Sequence, residues 1–236
     1  NATEVTTLYN ETACTKVTRT EENLQILGDT SCIANYRLNE DVTDLSGNYN
    51  GSFIGSPLLV YGEFNTCYRM NQNNYVSISA LKSLGNVNTI SVSFWQKLYS
   101  GNNTCLLFGG TTSQQTYDDF FQLTPYDGNG NYYIDFGNIS TGGRMSGTGA
   151  SNWVTNEFKH FVFIKSATTM YWYVDGQFVN SKANSKTVNF NNFLDFTLGK
   201  SLNSGATSLN TDIDQVRFFN KELSSSEVTT LYNEGI

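Results

Sequence analysis

One eight-residue stretch occurs twice in this chain: Glu4-Val-Thr-Thr-Leu-Tyr-Asn-Glu11 is repeated letter for letter as Glu227-Val-Thr-Thr-Leu-Tyr-Asn-Glu234. An identity that long, at opposite ends of 236 residues, is not a chance event, and self-similarity of this kind marks a repeat array. The expectation is one unit of a tandem series: residues 1–30 hold the end helix of the preceding repeat plus a connector, and residues 31–236 hold the domain. Ser224 stands three residues before Glu227, the spacing of a capping box, and Val228, Leu231 and Tyr232 fall on one helical face. The same pattern at Val5 and Leu8 predicts a short helix over residues 1–12.

Between the two copies the apolar residues keep a period of two. Ala34, Tyr36 and Leu38 alternate in one run, and short runs at 64–70, 75–79, 105–108, 120–123, 132–136 and 194–198 are separated by Gly- and Asn-marked turns. Asp175-Gly176 is a strong hairpin signal, because a two-residue turn with positive φ favours Asp-Gly. With only 2 prolines, 14% aromatic and 39% hydrophobic residues, the chain suits a single all-β core of two packed antiparallel sheets.

Charge narrows the partners. A net charge of -7 argues against nucleic acid, whose phosphates need a basic face. No apolar run approaches the roughly 18 residues of a membrane helix, so membrane insertion is not expected. No signal peptide opens the chain, which in a unit cut from a longer array says nothing about export.

Several motifs, in order, carry a family resemblance. Tyr36-x-Leu38-Asn39 followed by Asp44-Leu-Ser-Gly-Asn48-x-Asn50-Gly51, then Thr89-Ile-Ser-Val-Ser-Phe-Trp95, Trp153 with His160-Phe-Val162, Trp172-Tyr-Val-Asp175-Gly176, and Ile213-Asp214-Gln-Val216-Arg217 through Ser224 resemble a laminin G-like jelly roll of the concanavalin A-like lectin/glucanase superfamily. The resemblance spans residues 31–234 and implies a two-sheet antiparallel sandwich closed by a short C-terminal helix.

Catalysis is not expected. Glycosidases need two carboxylates about 5–9.5 Å apart across a groove, and the Glu-x-Asp-x-x-Glu pattern of the family's glucan hydrolases is missing. Asp212 and Asp214 share a sheet face, but the resemblance gives Asp214 a structural role. His160 has no nucleophile partner and is expected as a strand residue beside Trp153. Calcium is a possible structural cofactor: Asp41, Asp44, Asn48 and Asn50 offer hard oxygen ligands, and the resemblance points to Asp44, Asn48 and Asp214. The alternative is an Asx-turn at Asp44 and an Asp214 that accepts loop amide hydrogens, with no metal.

Trp95, Trp153 and Trp172 are expected in the core. The loop Asp127-Gly-Asn-Gly-Asn131, flanked by Tyr126, Tyr132 and Tyr133, is the candidate contact surface for a glycan, against the alternative of ordinary strand tyrosines. Cys14, Cys32, Cys67 and Cys105 contain no CxxC pair and suggest disulfides in an oxidising compartment. Three connectivities are open, Cys14 with Cys32 and Cys67 with Cys105 having the shortest loops, and buried free thiols are the alternative. Two functions follow: a non-enzymatic extracellular module on a cell or virion surface that recognises glycans or glycoproteins and works by multivalency with neighbouring repeats, or a purely structural bead of a fibre or stalk.

Overall fold

The computed structural model describes residues 24–101, 103–111, 120–200 and 210–234. The helix expected over 1–12 and Cys14 lie outside the described residues. The strands, in chain order, are β1 (Cys32–Tyr36), β2 (Ser52–Ile54), β3 (Leu58–Tyr61), β4 (Thr66–Met70), β5 (Tyr75–Ser77), β6 (Asn86–Val87) and β7 (Ile90–Lys97). There follow β8 (Asn103–Thr104), β9 (Leu107–Gly110), β10 (Phe120–Thr124), β11 (Tyr126–Asp127), β12 (Asn131–Phe136), β13 (Arg144–Thr148) and β14 (Phe158–Lys165). The last are β15 (Thr169–Val174), β16 (Gln177–Ala183), β17 (Val188–Asn189), β18 (Asp195–Leu198) and β19 (Thr211–Phe219), and helix α1 (Ser225–Asn233) closes the domain.

Two antiparallel sheets form the sandwich. The first runs β16-β15-β14-β7-β19-β4-β3, with β1 also paired to β19, and the second runs β13-β12-β10-β9-β18-β5-β2. Inward residues of the first sheet, among them Val92, Phe94, Phe161, Trp172 and Phe218, meet Leu107, Phe121, Ile134 and Phe196 of the second in one apolar core. Alternation places these side chains inside and their neighbours outside.

The outer face of the first sheet is also covered, which is why every residue of β19 is buried. Helix α1 lies there: Val228 and Leu231 join Cys32, Val162, Ile164 and Phe219 in a second apolar cluster, against which Leu24, Ile26 and Leu27 also pack. Residues 24–27, in the expected connector, thus pack on the sandwich. The helix starts as its sequence predicts, with Ser224 Oγ accepting from the Glu227 amide and Glu227 Oε2 accepting from the Ser224 amide at 2.8 Å. At its other end Arg217 donates two hydrogen bonds to Glu234, at 2.5 and 2.7 Å, with both side chains almost fully buried.

A bulge in β19 makes that pairing possible. The register against β7 shifts between Asp214 and Arg217, and Gln215 takes a φ of 49°. Asp214 opposes Trp95 and Arg217 opposes Ser93, so both charged side chains share the outer face although three positions apart.

Candidate functional site

The end of α1 and the neighbouring turns of the first sheet enclose a cleft of about 340 Å³, lined by Glu63, Trp95, Glu157, Phe158, Lys159, Asp175 and Tyr232. Trp95 points outward from β7 because Phe94 points in, and Tyr232 of α1 stacks on it with centroids 6.0 Å apart and planes at 19°. The close approach of α1 depends on the Asp175-Gly176 turn. Both residues have positive φ, and a Cβ on Gly176 would meet the Tyr232 ring at 3.1 Å.

Beneath the aromatic pair lies His160, whose ring is 5.0 Å from that of Trp95 and whose Nε2 bonds the Ser93 hydroxyl at 2.8 Å. Burial, assisted by the charge of Arg217, holds its pKa down to about 3, so the imidazole is neutral at physiological pH and serves as packing. Asp175 accepts from the His160 amide at 3.0 Å and pairs with Lys159 Nζ at 3.0 Å. Among the described residues Glu63 and Glu157 have no ion pair. Burial first, then the charges of Asp175 and Glu157, raise the pKa of Glu63. The arrangement combines the half-buried side chains of Phe158 and Tyr232 with carboxylates that accept from hydroxyl or ammonium donors, in a volume within the range of small-ligand sites, about 300–1,000 Å³. A second cleft of about 330 Å³, lined by Arg37, Asn39, Glu40, Asp41, Asn65 and Thr66, has no aromatic wall.

A laminin G profile described as Concanavalin A-like lectin/glucanases superfamily matches residues 70–229. The chain belongs to that superfamily. No curated protein sequence matches it. Among solved structures, domain 4 of AbnA, a GH43 extracellular arabinanase from Geobacillus stearothermophilus, in complex with arabinotriose, is 22% identical with a TM-score of 0.68, over 86% of this chain and 98% of that one. The binding domain of Paraclostridial Mosquitocidal Protein 1 is 17% identical with a TM-score of 0.65, over 86% of this chain and 52% of that one. The binding domain of Botulinum Neurotoxin DC in complex with SialylT is 14% identical, again at 0.65, over 87% and 51%. This concanavalin A-like chain thus spans about half the length of those toxin domains, and likeness at such identity concerns the fold.

The concanavalin A-like sandwich distributes the sequence-predicted residues unevenly. Tyr126 and Tyr132 are buried in the core, Tyr132 against Trp153 at 5.5 Å, so their rings are closed to a ligand. Tyr133, one step along β12, is turned outward and half-buried, with the Arg144 guanidinium 4.7 Å from its ring centroid and Arg144 held bidentate by buried Asp135. Trp172 is in the core and Trp153 is partly buried against it, whereas Trp95 lies under α1 on the opposite side of the sheet. His160 likewise stacks on Trp95 and Tyr232, while its neighbour Phe161 is the residue that meets Trp153.

The disulfide expectation is corrected for the described cysteines: Cys32, Cys67 and Cys105 are buried free thiols. Cys32 belongs to the cluster under α1, Cys105 packs with Phe108 and Phe120 on the second sheet, and Cys67 points its sulfur at the Tyr61 carbonyl at 3.8 Å. Among the described cysteines, these separate surroundings leave no pair of sulfurs to bond. Burial pushes the thiols of Cys32 and Cys105 up to about 12 and that of Cys67 higher.

The oxygens proposed for calcium face hydrogen-bond donors. Asp44 Oδ1 accepts from the amides of Asn35 at 2.8 Å and Ser46 at 3.1 Å, and Oδ2 accepts from the Tyr49 amide at 3.1 Å and from the Ser46 hydroxyl. Asn50 Oδ1 accepts from the Asp44 amide at 3.0 Å, and Asp41 accepts from Thr43. Asp214 Oδ2 accepts from the Phe64 amide at 2.9 Å. Four donors fill the lone pairs of Asp44. Asp212 is engaged too, by Arg69 at 2.6 and 2.9 Å and by Tyr99 at 2.7 Å, so the Asp212 and Asp214 carboxylates are structural.

The cleft escaped the sequence because Glu63, Trp95, Glu157, Asp175 and Tyr232 come from five separate segments. Its one sequence-level signal was Tyr232, an aromatic residue on the otherwise buried face of the repeated helix.

Proposed function

We propose that this domain is a non-enzymatic glycan-recognition module that acts outside the cell, with the Trp95–Tyr232 cleft as its site. The observation that carries the reading is a cleft of small-ligand size in which the half-buried side chains of Phe158 and Tyr232 stand beside the carboxylates of Glu63 and Glu157, which have no ion pair among the described residues. Sugar rings present C–H faces to aromatic side chains and vicinal hydroxyls to carboxylates, and this cleft offers both kinds of partner. The arabinotriose complex of AbnA domain 4 supports it, because nearly the whole of that domain corresponds to this fold. Tyr133 is an outward aromatic on the other sheet and forms no part of the cleft.

A glycan array probed with the whole chain in oligomeric form tests the proposal. Binding that weakens on Glu157→Gln, an exposed position that leaves the fold intact, supports it; binding unchanged by Glu157→Gln and Glu63→Gln, or no binding to any glycan, refutes it.

A second reading, a structural bead in a tandem series on a cell or virion surface, rests on the repeat. Glu227, Val228, Leu231, Tyr232 and Glu234, the residues that cap and dock α1, all recur at positions 4, 5, 8, 9 and 11. We propose that the earlier copy is the closing helix of a preceding unit. Sequencing the flanking gene segment decides this: a preceding unit with counterparts of Arg217 and Trp95 supports the series, and an unrelated flank removes it.

A further inference from the structure

We propose that Asn129 is a site of spontaneous self-modification, at which the backbone amide of Gly130 attacks the Asn129 carboxamide and a new carboxylate forms in the loop between β11 and β12. The chain contains two Asn-Gly junctions, Asn50-Gly51 and Asn129-Gly130, and both asparagines are exposed. In each, the glycine leaves the attacking amide unshielded by a side chain, so sequence does not separate them. Hydrogen bonding does. At the first junction Asn50 Oδ1 accepts from the Asp44 amide at 3.0 Å and the Gly51 amide donates to the Val42 carbonyl at 2.9 Å, so electrophile and nucleophile are both held.

At the second junction, among the described residues, neither the Asn129 carboxamide nor the Gly130 amide makes a hydrogen bond. The loop is anchored around that pair: the amides of Asn129 and Asn131 donate to Asp127 Oδ1 at 2.8 and 2.9 Å, and the Gly130 carbonyl accepts from the Ala150 amide at 3.1 Å. The fold also requires this glycine, since Gly130 has a φ of 94° and a Cβ there would stand 2.8 Å from Ser151 Oγ. Asp127 likewise precedes a glycine, but both its carboxylate oxygens accept from Asn129 or Asn131, and it is not expected to cyclise. In the reaction the Gly130 nitrogen bonds to Asn129 Cγ and gives up its proton to water, while the Cγ–Nδ2 bond breaks and ammonia leaves a succinimide behind. Water then opens the ring. Opening at the side-chain carbonyl gives aspartate, and opening at the main-chain carbonyl gives isoaspartate, with the chain running through Cγ. Either product takes the net charge from -7 to -8 without any redox partner.

The test incubates the whole chain in mildly alkaline buffer and follows each junction by peptide mapping and mass spectrometry, folded and in denaturant. In the folded chain Asn129 should convert at least about tenfold faster than Asn50, and in denaturant the two rates should come within about threefold of each other. Both aspartate and isoaspartate should appear at position 129. Asn129→Gln, which would have to close a six-membered ring, should abolish the reaction there and leave the thermal midpoint unchanged, because this side chain is exposed. Equal rates at the two junctions of the folded chain, faster conversion at Asn50, or an Asn129 that reacts only in denaturant or not at all overturns the proposal. Aspartate without isoaspartate also overturns it, being the product of direct hydrolysis. The outcome is independent of glycan recognition, which the glycan array decides separately.

Discussion

Replacing Glu234 by Gln keeps the size of the side chain at the end of α1 and removes its charge, leaving the Arg217 guanidinium without a counter-ion. Arg217 and Glu234 side chains are 1% and 3% exposed and joined by two hydrogen bonds of 2.5 and 2.7 Å, so water has little access to the guanidinium. Breaking a buried pair from one side costs about 3–5 kcal/mol. For a domain of this size each kcal/mol moves Tm by about 2–4 °C, so Glu234→Gln should lower it by roughly 6–20 °C. Lys221–Asp29 is the internal control: with 28% and 43% side-chain exposure, its loss in Asp29→Asn should cost less than about 1 kcal/mol. Urea titration followed by tryptophan fluorescence is the assay, since Trp95 lies under Tyr232 and senses the helix directly. The paired replacement Arg217→Met with Glu234→Leu should recover most of the loss, because exchanging a buried pair for apolar side chains is close to neutral or stabilising. A loss below about 1 kcal/mol in Glu234→Gln, or a double variant as unstable as the single, refutes the argument that the pair is desolvated and holds α1 down.

Other outcomes follow from the same contacts. Asp44→Ala strips acceptors from the amides of Asn35, Ser46 and Tyr49 and should cost at least about 1–3 kcal/mol, equally with calcium and with chelator, while chelator alone leaves the wild-type Tm unchanged. Burial holds the Lys165 ammonium down to about 8, against about 10.4 for a free lysine. The unfolded chain binds that proton more tightly, so the destabilisation is fully present below pH 8 and is relieved between about pH 8 and 10, and Lys165→Met should flatten that rise in the urea midpoint. A Cβ at Gly109 would stand 2.4 Å from the Phe193 ring, so Gly109→Ala should destabilise by about 1–3 kcal/mol in thermal melts. Cys32, Cys67 and Cys105 should resist a thiol reagent in the folded chain and all react in denaturant without reductant.

Much of the sandwich was legible before any coordinates, for reasons that differ from segment to segment. Local chemistry wrote the Asp175-Gly176 hairpin and the Ser224–Glu227 cap, and both are present. The strand around Trp95 was visible from its alternation, but its outer face could not be called exposed or buried until α1 was seen to cover it. Strands β2 and β3 were not visible: residues 52–61 carry no charge, and Phe53, Ile54, Leu58, Leu59 and Tyr61 point to the surface at the open edges of the two sheets. Strand β13 was hidden by its glycines. Gly147 lies within it, and a Cβ there would strike the Tyr132 hydroxyl at 2.5 Å. Cysteine spacing along the chain measures loop length and not the distance between sulfurs, so it could not separate bridges from buried thiols.

The anchoring of α1 also determines how the domain takes a mechanical load. A pull on the chain beyond Asn233 reaches the Arg217–Glu234 pair before it reaches any strand. Arg217 belongs to β19, which is hydrogen-bonded to β7, β4 and β1. Tension therefore enters at the middle of the sheet instead of peeling an edge, and what yields first is the helix, turn by turn, with the sandwich behind it still closed.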